Sequence, residues 1–128
     1  MNYKHIIWDW NGTLVDDAWL CVDIMNKILL SYGLPLISLS DYRKHFVFPV
    51  KEYYQHLGFD FNQFPFEQCG LDFIDAFKKR QFEARLFKNT TKILRVLHKR
   101  GVFQHVLSAN HQNVLIQTIK HFKINHFF

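Results

Sequence analysis

The apolar residues of this chain follow two rhythms. Short strand-like stretches occur twice: Ile6-Ile7-Trp8 is an unbroken apolar run that reads as a buried strand, and Val102 to Leu107, apolar on both sides of Gln104-His105, reads as a second strand. Between and after them the apolar residues recur every three to four positions, which predicts helices. Cys21, Ile24, Met25, Ile28, Leu29 and Tyr32 form one such stripe, with Asp16 and Asp17 suited to its start and Gly33 and Pro35 to its end. Ser40 is expected to cap a short helix carrying Tyr42 and Phe46, and Pro49 to open another through Tyr53, Tyr54 and Leu57, stopped at Gly58. Residues 59–65 read as a loop, followed by a longer helix with Phe66, Gly70, Phe73, Ile74 and Phe77 on its apolar face. Asn89 and Thr90 cap a helix that turns Ile93, Leu94 and Leu97 inward and ends at Lys99-Arg100-Gly101. After the second strand, Ser108-Ala109-Asn110 leads into a last helix with Val114, Leu115, Thr118, Ile119 and Phe122 inward.

Composition narrows the class. A chain of 128 residues, 48% hydrophobic with 14 Phe, is enough for one core or for one core with a small insertion. No apolar run approaches the ~18 residues needed to cross a bilayer, and Asp9, Asp16 and Asp17 interrupt any apolar leader, so no membrane partner is expected. Cys21 and Cys69 form no C-x-x-C pair, which suits free thiols in the cytoplasm. The net charge of +5 would favour anionic ligands, but the basic residues are scattered and read as solvated helix faces. Nucleic acid is therefore not an expected partner. The eight His show no metal-ligand spacing.

The chemistry sits where the first strand stops. Asp9 leaves the sheet just before the turn pair Asn11-Gly12, a place where α/β sheets bind ligands and where a loop of free backbone amides would suit an anion. A carboxylate beside an anion-binding loop makes sense if it attacks phosphorus or carries a metal. The plainer reading of the stretch is a strand–turn–helix with an acidic helix start, and a single Ser such as Ser108 before a helix is more often a cap.

Asp9-Trp10-Asn11-Gly12-Thr13-Leu14-Val15-Asp16 resembles motif I (DxDGTLxD) of the haloacid dehalogenase-like hydrolases, closest to the phosphoglycolate-phosphatase type. That resemblance implies an α/β fold: a partial Rossmann-like core, residues 1–16 and 87–128, with a helical cap at 17–86 inserted after the first strand. It implies hydrolysis of a small phosphorylated metabolite through an aspartyl-phosphate at Asp9, with the Asn11 carbonyl as a second Mg²⁺ ligand beside Asp9. Gly12, Thr13, Ser108, Ala109 and Asn110 would hold the phosphoryl group, Ser108 standing where the family's motif II has its Ser or Thr. The family's acid/base Asp is Asn11 here, and its motif III Lys and motif IV acids have no counterpart, so Mg²⁺ would be held weakly or not at all. An inactive relative that binds phosphate or a protein partner is the alternative. The missing strands would leave a sheet edge uncovered, to be filled by self-association or a complementing chain.

Overall fold

The computed structural model describes residues 3–128 of the chain. They form two compact units, one made of residues 3–17 with Gln81–Phe128 and one of the middle (Ala18–Arg80).

The first unit is α/β. Strand β1 (His5–Trp8) pairs in parallel with β4 (Phe103–Val106), in the register His5 to Phe103 through Trp8 to Val106. A shorter antiparallel ribbon joins β2 (Val15–Asp16) to β3 (Arg85–Leu86), extended by the Phe87 amide on the Leu14 carbonyl at 3.0 Å. Because side chains alternate across a strand, Ile6, Trp8, Gln104 and Val106 face one side, and His5, Ile7, Phe103 and His105 the other. On the first side Gln104 is buried: its amide donates to the Leu94 carbonyl of α5 (Thr90–Lys99) at 3.0 Å and accepts from the Trp8 indole at 3.1 Å. One polar side chain thus locks both strands to the helix, satisfied as a buried amide must be. The opposite side is open, with Ile7 67% and Phe103 62% exposed. Helix α6 (Gln112–His121) turns Thr118 and Ile119 inward, and Leu94, Ile124 and Phe127 join them in the core.

The second unit is helical. Helix α1 (Ala18–Ser31) buries Leu20, Cys21, Ile24, Met25, Ile28 and Leu29, the stripe that its spacing predicts. It packs against α2 (Leu39–His45) and α4 (Phe66–Arg80), with α3 (Val50–His56) between those two in the chain. Many of its contacts are aromatic, such as the edge-to-face pairs of Tyr32 with Phe59 and Phe64. Asn26 of α1 clamps the following loop, donating to the Ile37 carbonyl at 2.9 Å and accepting from its amide at 2.8 Å. Arg80 of α4 hydrogen-bonds Asp23 of α1. Lys51 lies over the rings of Phe61 and Phe66, 5.7 and 5.9 Å from their centres.

Four local readings are corrected by the structure. Helix α2 is capped by Ser38, not Ser40: Asp41 lies three residues on and completes a reciprocal pair, Asp41 N to Ser38 Oγ at 3.0 Å and Ser38 N to Asp41 Oδ2 at 2.9 Å. Ile93 and Ile74 are 46% and 47% exposed, because Leu94 and Cys69 hold the buried position on their helices. The Asn89 side chain makes no cap bond, and its φ of +75° bends the chain into α5 instead. The helical stretch ends at Arg80, and Gln81 to Leu86 run as a 3-10 turn and β3 in the first unit. Cys21 and Cys69 are both buried and in no disulfide, and no helix of the described residues is long and apolar enough to cross a membrane.

Candidate active site at the end of β1

Asp9 is the residue at which β1 ends, and its carboxylate is solvent-exposed. The turn after it is built on Trp10. The Trp10 indole is almost fully buried, and its carbonyl accepts from the amides of Thr13, Leu14 and Val15 at 3.2, 3.0 and 3.2 Å. That triple anchor folds the chain back, and Gly12 supplies the positive φ of +71° that the reversal needs. Thr13 thereby returns to the strand end, where its hydroxyl donates to Asp9 Oδ2 at 2.9 Å.

Asp17 organises the other side of the turn. It is 3% exposed, accepts from the Gly12 amide at 2.9 Å on one oxygen and from Asn11 Nδ2 at 2.5 Å on the other. Burial raises its pKa above the ordinary 3.8, with the Asn11 and Gly12 hydrogen bonds acting in the opposite direction. Asn11 reaches across to the second strand's loop as well: its Oδ1 accepts a long contact of 3.5 Å from Ser108 Oγ, which itself accepts from the Asn110 amide at 3.1 Å. The loops that follow β1 and β4 thus touch through Asn11 and Ser108 at one end of the strand pair.

Two features differ from the sequence reading. The loop past Asp9 is not a row of free amides, since those of Gly12, Thr13, Leu14 and Val15 are all bonded inside the turn. Gly12 in particular directs its amide to Val15 and to Asp17, a buried carboxylate that outcompetes solvent for it. The second concerns Asp17: it stands directly before α1, the helix start that the acidic pair predicts, and in addition its carboxylate binds the turn through Gly12 and Asn11, which the sequence does not signal.

The donors for a divalent cation are few. Among the described residues no group of three His, Cys, Asp or Glu converges. Asp9 offers one carboxylate, and Asn11 one backbone carbonyl. Mg²⁺ commonly keeps several waters and takes one or two carboxylates plus phosphate oxygens, so this set fits a cation completed by a bound phosphate rather than a protein cage.

Comparison with known proteins bears on this arrangement. The family model for haloacid dehalogenase-like hydrolases matches residues 6–128, and the chain belongs to that family. No curated protein matches the sequence. Among solved structures, a predicted phosphoglycolate phosphatase from Haemophilus somnus is 19% identical with a TM-score of 0.81, covering 100% of this chain and 61% of its own. A haloacid dehalogenase-like family hydrolase from Streptococcus pneumoniae is 19% identical, TM-score 0.82, covering 98% and 59%. Protein tyrosine kinase A of Mycobacterium tuberculosis is 23% identical, TM-score 0.83, covering 98% and 57%. The chain therefore spans about three-fifths of the length of these structures. Their likeness establishes the fold: a Rossmann-like α/β core interrupted by helices. It does not choose a substrate, since hydrolases and a kinase share it.

Proposed function

We propose that the unit holding β1 and β4 accepts a phosphoryl group from a small phosphate ester onto Asp9. The observation that carries this reading is the Thr13–Asp9 hydrogen bond at a strand end that also gathers Ser108. Thr13 engages Oδ2 and leaves Oδ1 to attack phosphorus. The P–O bond of the ester then breaks, and the leaving oxygen departs with the bonding pair. Water later attacks the aspartyl-phosphate, releasing inorganic phosphate and the carboxylate. Because the turn amides and the Thr13 hydroxyl are used internally, the Ser108 hydroxyl, whose contact with Asn11 is long at 3.5 Å, is the group available to hold a phosphoryl oxygen, with the segment through Ala109 and Asn110 positioning it. Asp9 and the Asn11 carbonyl would hold Mg²⁺, whose charge offsets that of the phosphate.

Asn11 sets the substrate chemistry. A carboxamide neither donates nor takes up a proton near neutral pH, and this one is tied to Asp17. The leaving group departs without protonation, which favours aryl and acyl phosphates over alkyl esters. The same observation supports a second reading, a relative that binds phosphate or a protein partner without turnover. Steady-state assay of p-nitrophenyl phosphate and of an alkyl phosphate with Mg²⁺ separates them. The first reading expects turnover of the aryl ester that falls to background in Asp9→Asn; phosphate binding with no turnover of either supports the second. We place the protein in the cytoplasm, where its thiols stay reduced, and assign to the helical unit the role of a cap that selects the phosphorylated metabolite.

A further inference from the structure

The open face of the β1–β4 pair carries two histidines in contact. His5 lies at the start of β1 and His105 diagonally across on β4, since His105 is level with Ile7. Their facing nitrogens, His5 Nδ1 and His105 Nε2, are 3.0 Å apart. The ring centres are 5.3 Å apart and the planes differ by 18°. The centre spacing exceeds the N···N distance by about two ring radii, so the two nitrogens meet head-on. As neutral imidazoles they share one proton, one nitrogen donating and the other accepting. Phe103 stacks on the His5 ring, with centres 5.2 Å apart and planes 21° apart, which steadies the ring's orientation.

We propose that His5 and His105 form a two-histidine chelate for a divalent transition-metal ion of the Cu²⁺, Ni²⁺, Zn²⁺ group. Histidine nitrogens sit about 2.0–2.1 Å from such ions, so two on one metal at right or tetrahedral angles are about 2.9–3.4 Å apart. The observed 3.0 Å is already in that range. The rings need only swing until their lone pairs converge, and both side chains are exposed enough to do so. No net proton leaves a neutral pair: the shared proton moves to the far nitrogen, His5 Nε2 or His105 Nδ1, as the metal takes its place. Imidazole suits Cu²⁺, Ni²⁺ and Zn²⁺ and not Mg²⁺, so this site does not compete for the cation proposed at Asp9. It is also remote from it: four residues along a strand separate His5 from Asp9, about 13 Å. Two protein donors leave the remaining positions to water or to an added ligand. A metal held here ties β1 to β4 side chain to side chain and stabilises the folded pair, because the unfolded chain offers no matched nitrogens.

The test uses the full chain near neutral pH. Cu²⁺ is added while the imidazole signals of the histidines are followed by NMR, and affinity is measured by calorimetry with Cu²⁺ and Zn²⁺. The expected result is that one equivalent of Cu²⁺ broadens His5 and His105 first, with Cu²⁺ bound more tightly than Zn²⁺. His5→Gln and His105→Gln should each weaken binding at least about tenfold, no less than the loss of an outer-shell partner costs a metal site. His56→Gln should leave it unchanged; His56 stacks on His45 elsewhere, with ring centres 4.6 Å apart. Zn²⁺ should raise the Tm of the natural chain and not of either weakened variant. The proposal is overturned if binding is not saturable, if another histidine responds first, or if the double variant His5→Gln/His105→Gln binds as tightly.

Discussion

Asn11 and Asp17 show how one pair of side chains fixes what the active-site turn tolerates. Asn11→Asp would restore the family's acid/base carboxylate, yet it would also press a second carboxylate against Asp17 at a contact of 2.5 Å. Like charges that close cannot both ionise, and the pair would titrate as a unit. The single variant should therefore lose roughly 1–3 kcal/mol of stability at neutral pH, the cost of an unsatisfied buried polar group, as read by urea unfolding. The double variant Asn11→Asp/Asp17→Asn keeps an amide facing a carboxylate with the roles exchanged. It should fold better than the single variant and gain ~10²–10⁴ in turnover of alkyl phosphates, the usual worth of a general acid. Equal stability of the two variants would remove Asp17 from this role. Asp17 also gives the turn a pH signature. Its folded pKa is raised, so its contribution is present below the unfolded value of 3.8 and lost as pH rises through the folded one. Stability relative to Asp17→Asn should fall across that window. The sequence singles out Asp9 and Ser108 by their place after strands, and Thr13 only through the resemblance to motif I. It could not show that Asp17 also binds the turn, because whether an acid at a helix start reaches back into a turn depends on burial.

The helices repeat that lesson at the level of elements. The stripe of α1 was readable because a long helix with one buried face repeats its pattern over several turns. The face of α5 was less so: in ten residues the choice between Ile93 and Leu94 rests on which side meets the sheet, and it is the Leu94 carbonyl that accepts from Gln104 of β4. The Ser38 cap was present in the sequence as Ser38-x-x-Asp41, and Ser40 is the nearer but wrong serine. Ser38→Ala should destabilise the helical unit by about 1 kcal/mol, with Ser40→Ala having less effect, by thermal unfolding. The link between α1 and α4 is ionic. The Arg80 hydrogen bond, assisted by Lys27, lowers the Asp23 pKa from 3.8. A depressed acid contributes stability above its unfolded pKa and loses it as pH falls through the folded value. Asp23→Asn should therefore match the natural chain in strong acid and fall below it at neutral pH, by no more than about 1 kcal/mol because the pair is half-exposed. A difference that persists unchanged below pH ~3 would assign the effect to packing instead.

For the whole molecule, the two-stranded parallel sheet is the unusual feature. Parallel strands are ordinarily covered on both faces. Here Ile7, Phe103 and Leu107 are 67%, 62% and 71% exposed, and among the described residues β1 has a strand on one edge only. An apolar face next to an open edge is a pairing site for another chain. We expect the isolated chain to self-associate through the open edge of β1 unless a complementing polypeptide supplies a strand there; a monomer in sedimentation at tens of micromolar, with the amides of β1 strongly protected, would contradict that. Asp9 is where fold and chemistry meet, and one experiment reaches it directly. The chain is quenched with acid during turnover of p-nitrophenyl phosphate in Mg²⁺, digested, and the peptide containing Asp9 is weighed. One phosphoryl group on Asp9, missing from Asp9→Asn together with the turnover, is the expected result. A phosphoryl group elsewhere, no label at all, or undiminished turnover in Asp9→Asn would contradict the account.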